Sequence, residues 1–256
     1  MRCLKMKHVL AYVGSRNPDS KTRKHIERLL QSLSKKYKEE ISHELLTPND
    51  IQLSPSTGCK NCFKTGKCSL DKVPKDEGEL LKRKLLEADF IILASPVYSH
   101  NVSSDMKMVI DRLSYWAHLF KLVGKSGIVL AAAESNGVNF VADYLEKVAY
   151  VLGLHVVDKI GLMGHQELTD NQLDFLTESI YNHVMGIENP YADEKIEATF
   201  QALKRSFLGY PQDHAEYVYW KESGMFAASS YQEYLDNVLS LRQEQIAKKI
   251  NEYSHC

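Results

Sequence analysis

Gly14-Ser15-Arg16-Asn17-Pro18-Asp19-Ser20-Lys21-Thr22 joins an apolar run to a helix-patterned segment and carries three hydroxyls and a glycine. Hydroxyls and free backbone N–H groups at a helix start suit a phosphate monoester, which would also meet the positive end of the helix dipole. The spacing is neither G-x-G-x-x-G nor G-x-x-x-x-G-K-[ST], so support for a dinucleotide fingerprint or a P-loop is weak. Taken alone, Ser and Thr at this position also serve as ordinary helix caps. A second stretch, Ala94-Ser95-Pro96-Val97-Tyr98-Ser99-His100-Asn101, offers N–H groups and an aromatic to a flat ring. A third, Glu134-Ser135-Asn136-Gly137, would close a further side of a shared site. His100 is either a donor within that site or a solvent-facing loop residue.

These stretches need scaffolding, and the apolar pattern supplies it. Met6–Val13, Asp89–Ala94, Ser126–Ala133 and Leu154–Leu162 read as strands rich in branched residues, and Ile41–Leu46 as a less apolar edge strand. Pro96 fixes its own φ and disfavours helix at Ser95, so the third strand is predicted to end there. Ser103 or Ser104 can cap a helix carrying Met106, Val109, Ile110, Leu113 and Ala117. Further helices are predicted with Ile26, Leu29, Leu30, Leu33 and Tyr37 on one face, over 77–87, and over 140–152. Five alternations of strand and helix argue for a parallel, doubly wound α/β sheet. In the order 2-1-3-4-5, strands one and three meet at the switch point, where a ligand lies outside the carboxyl ends of the strands.

The chain has 256 residues, 44% hydrophobic and 25% charged, as expected for a globular protein. Thirty-two basic residues nearly cancel 33 acidic ones, leaving a charge of -1 and no reason to expect nucleic acid or a membrane as partner. No run approaches the roughly 18 apolar residues of a span, and the basic N-terminus enters a strand without a signal-peptide core. A cytoplasmic protein is the expectation. Residues 1–164 read as the ligand-binding α/β domain and 165–256 as a helical, aromatic-rich extension packed on it. Those aromatics either bury the extension or roof the site.

The combination Gly14-Ser15-x-Asn17-x-x-Ser20-x-Thr22, then Ser95-Pro96-Val97-Tyr98, with Lys107 and Asp111-Arg112 downstream, resembles the NADPH-dependent FMN reductase family. The likeness covers about Lys7 to Gly164. It implies a flavodoxin-like five-stranded parallel sheet, bound FMN, NADPH or NADH as co-substrate, and a homodimer or homotetramer. Ser15, Asn17, Ser20 and Thr22 inherit contacts to the phosphate. Family patterns have Arg at the Asn17 position and Arg16 stands one residue earlier, so both are candidates. Pro96, Val97, Tyr98, Ser99 and Asn101 inherit contacts to the isoalloxazine and ribityl chain. Lys107, Asp111 and Arg112 read as structural, the first two as an i,i+4 surface pair.

Five cysteines include a cluster, Cys59, Cys62 and Cys68, inside a long turn-rich connection from Thr47 to Val73. Their spacing resembles three of the four cysteines in the iron–sulfur flavoprotein branch of the same family, with Ser56 where the first would stand. A [4Fe–4S] cluster takes four thiolates and a closed zinc site four ligands, so free or redox-active thiols are the leading expectation. Cys3 or Cys256 could complete a set only by coming close in space. The function these residues imply is hydride transfer from NAD(P)H through FMN to a small electron acceptor: a quinone, nitro compound, flavin or activated alkene. An iron–sulfur electron carrier and a non-catalytic flavin-binding interaction module are the alternatives.

Overall fold

The structure is a computed structural model that describes residues 6–253. Cys3 and Cys256 therefore lie outside the described residues. Five parallel strands form the sheet: β1 (Lys7–Val13), β2 (Ile41–Leu46), β3 (Phe90–Tyr98), β5 (Lys125–Ala133) and β6 (Leu154–Met163), in the order β2-β1-β3-β5-β6. A sixth, two-residue strand, β4 (Asn101–Val102), folds back antiparallel on the tip of β3. Leaving out that excursion, the order is the expected flavodoxin-like 2-1-3-4-5.

Period-two alternation divides the strand side chains between two cores. Val9, Ala11, Val13, Phe90, Ile92, Ala94, Ile128 and Leu130 face α1 (Lys21–Tyr37), whose Ile26, Leu29, Leu30 and Leu33 are buried as their spacing requires. The same layer holds α6 (Asp170–Met185), which starts with a capping box between Thr169 and Gln172 and packs on α1 through Tyr37 and Tyr181. Leu10, Tyr12, Ile91, Leu93, Val129 and Ala131 face the other way, toward α3 (Gly78–Glu87), α4 (Ser104–Arg112) and α5 (Val138–Val151).

On that second face sit α7 (Glu194–Leu208), α8 (Ala215–Glu222) and α9 (Tyr231–Tyr253). Their aromatics join Phe120 in one buried cluster: Phe200 stacks on Trp220 and Tyr234, and Tyr231 meets Phe120 edge to face. Trp220 Nε1 donates to the His118 carbonyl at 2.8 Å, which satisfies its one polar atom. These rings bury the extension. So α6 serves the sheet, whereas α7–α9 form the appended layer.

Two local expectations change. β3 does not end at Ser95-Pro96; it runs to Tyr98, with Pro96 still in register with Ala132 of β5. Proline lacks a donor yet fits where no ladder bond is required of its nitrogen, and the reversal comes later, at Ser99 and His100, both with positive φ. The connection after β2 is also more ordered than its turn-rich composition implies. It contains the short helix α2 (Asn61–Thr65) and a 3-10 turn, Ser69–Lys72.

That connection is pinned by buried charge. Arg112 donates to both carboxylate oxygens of Asp76 (2.6 and 2.8 Å), to Asp71 (3.0 Å) and to the Ser54 carbonyl (3.2 Å). Lys82 reaches Asp71 at 2.6 Å. The guanidinium approaches Gly78 so closely that a Cβ there would meet Arg112 Nη2 at 2.2 Å. Arg112 is thus structural, as is the exposed Lys107–Asp111 pair on the same helix.

Arg112→Met should cost about 3 kcal/mol, because Asp76 is left buried and uncompensated; a urea midpoint shift measures it. Burial pushes the Asp76 carboxyl up, but donors from Arg112 and from the Ser54 and Gly78 backbone outweigh it and hold it down at about 2. A depressed carboxylate stabilises the fold above its unfolded pKa of about 3.9, and that contribution is lost as pH falls toward the folded value. Denaturation midpoints should therefore drop between about pH 4 and pH 2 in the wild type, and less steeply in Asp76→Asn.

Candidate functional site

Three loops meet at the carboxyl ends of the strands. The first leaves β1 at Gly14, whose N–H donates to the Ala94 carbonyl of β3 at 2.8 Å. Ser103 caps α4 by accepting from Met106 N–H at 3.1 Å and donates its own proton to the Gly14 carbonyl at 2.5 Å. The Ser95 hydroxyl in turn accepts from Ser103 N–H at 3.0 Å. Gly14 admits no side chain: a Cβ would lie 2.7 Å from Met106 Cβ and 2.8 Å from Ser103 Oγ. The hydroxyl-rich loop and the β3–α4 turn are therefore in direct contact.

Within the first loop, Ser15 is 3% exposed and its hydroxyl has no hydrogen-bond partner among the described residues. A buried hydroxyl without a partner costs about 1–3 kcal/mol unless something satisfies it. Ser20 occupies the N-cap of the 17-residue α1 but makes no side-chain cap bond, and the first turn of α1 contains no acidic residue. The helix start thus presents N–H groups without a side-chain cap, in the same loop as that orphan hydroxyl. Thr22 is buried in the first turn. Asn17 shapes the loop by accepting from Asp19 N–H at 2.9 Å. Arg16 forks onto Asp105 through Nε and Nη2 (3.1 and 2.8 Å), and Asn49 donates to the Arg16 carbonyl at 2.9 Å. Of the two positions compared in the sequence, Arg16 carries charge to the rim and Asn17 builds the turn.

The second loop is the β3–β4 hairpin. Val97 pairs with Val102 and Tyr98 with Asn101, so part of the backbone expected to face a ligand belongs to the hairpin. Ser99 and His100 take the two left-handed positions of its turn (φ 49° and 59°), a conformation that costs non-glycine residues roughly 1 kcal/mol or more each. Pro96 and Val97 are half-buried, whereas Tyr98 is 54% exposed at the rim.

The third loop follows β5. His100 Nε2 donates to Asn136 Oδ1 at 3.0 Å, and the His100 ring lies 5.6 Å from that of Phe140. Gly137 has φ +81°, and a Cβ there would meet His100 Cδ2 at 2.9 Å and Val97 Cγ1 at 3.0 Å. The second and third loops are thereby locked together. Glu134 turns toward the first loop, accepting from Lys21 Nζ at 2.8 Å, and Lys21 also donates to the Gly164 carbonyl at 3.0 Å. That pairing holds the Glu134 carboxyl below its ordinary range. Ser135 is exposed between them.

Sequence reasoning did not single out Asp105, Lys21, Asn49 or Phe140. Asp105 sits in the first turn of α4, where an acidic residue reads as ordinary dipole complementation. Lys21 and Asn49 act across long sequence separations, which leave no local signal. Phe140, 64% exposed at the start of α5, stands out only against its surroundings.

The cysteines lie on a separate element. Cys59 is exposed, while Cys62 and Cys68 are half-buried. The Asn61 backbone N–H and the Ser69 and Thr57 hydroxyls stabilise the Cys59 thiolate and lower its thiol to about 7. Burial, together with Cys68 and Cys59, pushes the Cys62 thiol up. No three His, Cys, Asp or Glu side chains among the described residues converge as a metal-ligand set. The donors present there do not fit a four-thiolate cluster.

Comparison with known proteins agrees with this architecture. The chain is 31% identical over 179 residues to an iron–sulfur flavoprotein of Archaeoglobus fulgidus, covering 66% of this chain and 78% of that one. It is 36% identical over 130 residues to an iron–sulfur flavoprotein of Methanocaldococcus jannaschii, covering 50% of this chain and 64% of the relative. Among solved structures, it shares a fold with RosB bound to the intermediate 8-demethyl-8-formylriboflavin-5'-phosphate (TM-score 0.57, 18% identity, 78% of this chain and 87% of that one). It also shares one with an apo NADH:FMN oxidoreductase (TM-score 0.51, 18% identity, 75% and 94%). Residues 7–168 match the NADPH-dependent FMN reductase family, and with the sheet order and the three-loop cleft this makes the chain a member of that family of flavin oxidoreductases.

Proposed function

We propose that this FMN-dependent oxidoreductase takes reducing equivalents from NADPH or NADH and delivers them to a small acceptor such as a quinone, nitro compound, free flavin or activated alkene. The observation that carries the reading is the buried Ser15 hydroxyl, unpartnered among the described residues, beside the uncapped start of α1. A phosphate monoester supplies the acceptor oxygens that both lack.

Ser15, Ser20 and Thr22, with the N–H groups opening α1, would hold that phosphate. Arg16 and Asn17 flank it, the one kept in place by Asp105 and the other by its turn. Pro96, Val97, Tyr98, Ser99 and Asn101 would face the ring and ribityl chain, with Glu134, Ser135, Asn136 and Gly137 on the remaining side. When bound, FMN supplies the two-electron chemistry that lets a nicotinamide donor and an acceptor react in turn. The chain's share is orientation and exclusion of water. His100, fixed by Asn136, places an imidazole at the rim. This chemistry requires no nucleophile or general base, and none of these residues is assigned one.

Near-balanced charge supports a small-molecule acceptor over nucleic acid. No helix among the described residues is long and apolar enough to cross a membrane, in keeping with the cytoplasmic placement we favour. A homodimer or homotetramer completes the reading. A second reading, an iron–sulfur electron carrier, draws on the names of the curated relatives; with Ser56 in the first place, Cys59, Cys62 and Cys68 supply one thiolate fewer than a [4Fe–4S] cluster takes.

Purified protein loaded with FMN should lose its flavin absorbance on anaerobic NADPH or NADH and regain it on adding a quinone. A flavin that stays oxidised under both donors would refute the enzyme and favour a non-catalytic flavin-binding module. Ser15→Ala and the pair Ser20→Ala with Thr22→Ala should each weaken FMN binding about tenfold or more, the worth of one or two charge-assisted hydrogen bonds. Flavin fluorescence quenching reads the affinity, and unchanged binding removes the first loop from the phosphate site.

A further inference from the structure

The cysteine connection plays no part in the cleft chemistry above, yet it carries the three free thiols of the described residues. Cys59 and Cys62 stand at C-x-x-C spacing on either side of Lys60 and Asn61, with Lys60 in a left-handed conformation. Cys59 is exposed, and its sulfur lies 3.5 Å from the Ser69 hydroxyl. Cys62 is half-buried and packs against the core. Cys68 differs from both because it neighbours the Arg112 guanidinium, inside the buried ion network that pins the connection. One thiol is thus open to solvent, a second is half-buried at C-x-x-C sequence spacing from it, and a third neighbours a buried guanidinium.

We propose that Cys59 and Cys62 form a reversible dithiol–disulfide couple that reduces small-molecule disulfides, Cys59 attacking and Cys62 resolving. Cys59 thiolate attacks one sulfur of a disulfide RSSR; the S–S bond breaks, RS⁻ leaves and takes a proton, and a Cys59–S–S–R mixed disulfide forms. The Cys62 thiol then gives up its proton and attacks Cys59 Sγ, releasing the second RSH. Two protein thiols are oxidised to one disulfide while RSSR is reduced to two RSH. An added dithiol reverses the couple. The exposure of Cys59 admits the disulfide, and the Ser69 hydroxyl lies 3.5 Å from its sulfur. Cys62 lies in the first turn of the five-residue α2, which stands between two left-handed residues, three positions along the chain from Cys59. The proposal uses no residue assigned to the flavin cleft, so its failure and the failure of the oxidoreductase reading are separate results.

The test is oxidised glutathione added to the full-length, reduced protein, followed by intact mass and peptide mapping. Wild type should lose two thiols, retain no glutathionyl group, and map a single bridge to Cys59–Cys62, reversed by dithiothreitol. Cys62→Ser should trap one glutathionyl group on Cys59, and Cys59→Ser should react about tenfold or more slowly. Circular dichroism confirms that both variants fold, and a Cys68→Ser chain that still forms the bridge supports the assignment. The proposal is overturned if Cys59→Ser reacts as fast as wild type, if the bridge maps to Cys68, Cys3 or Cys256, if wild type stops at the mixed disulfide, or if the cysteines hold iron and offer no exchangeable thiol.

Discussion

The hydroxyl of Ser103 accepts from the first turn of α4 while donating to the carbonyl at the end of β1. Around that atom the chain is compressed until Gly14 has no room for a methyl group. The joining of the first loop to the β3–α4 turn rests on this contact. It brings the hydroxyl-rich loop against the β3–α4 turn, and the Ser95 bond to Ser103 N–H fixes the turn against the sheet. A parallel sheet forces neighbouring strands to end on the same side, and the switch point between β1 and β3 sends their loops apart around a crevice. Ser103 sets how far apart the bases of those loops stand.

A second closure works by charge and by glycine. Lys21 spans from α1 to Glu134 and the Gly164 carbonyl, bridging the loops after β1, β5 and β6. On the far side, His100 reaches Asn136 over a glycine that could be nothing larger. The exposed ion pair contributes little to stability, a few tenths of a kcal/mol at most. Its effect is positional: it draws Glu134 toward the start of α1 and ties the loops after β1 and β5 together.

The buried network of Arg112, Asp71, Asp76 and Lys82 explains why a connection with few apolar residues holds its shape. Such a network yields little net stability compared with apolar packing, but removing one member is costly. It fixes Asp71 and Asp76, which follow Cys68, and so anchors that flank of the cysteine connection. The appended helices reach the same flank: Phe63 of α2 lies 5.2 Å from His118, whose Nδ1 is 2.6 Å from the buried Glu216 of α8. The connection thus touches the first loop at Asn49 and is pinned by buried charge further along.

Sequence by itself determined the strands, their alternation with helices and the residues at their carboxyl ends, because apolar runs are local signals written in adjacent side chains; the strand order came with the family resemblance. It also marked Ser15, Ser20, Thr22 and the Pro96–Tyr98 stretch, since hydroxyls and turn residues after a strand are conspicuous. Only the tertiary structure decided that β3 continues through Pro96, because the pairing that sustains it comes from β5. Likewise, Arg16 belongs to Asp105, Lys21 to Glu134, and Arg112 to two aspartates more than thirty residues away. Such pairings depend on distances across the fold, and no spacing along the chain encodes them. The burial of the extension's aromatics was settled in the same way: a ring's partners are chosen by the surface it meets.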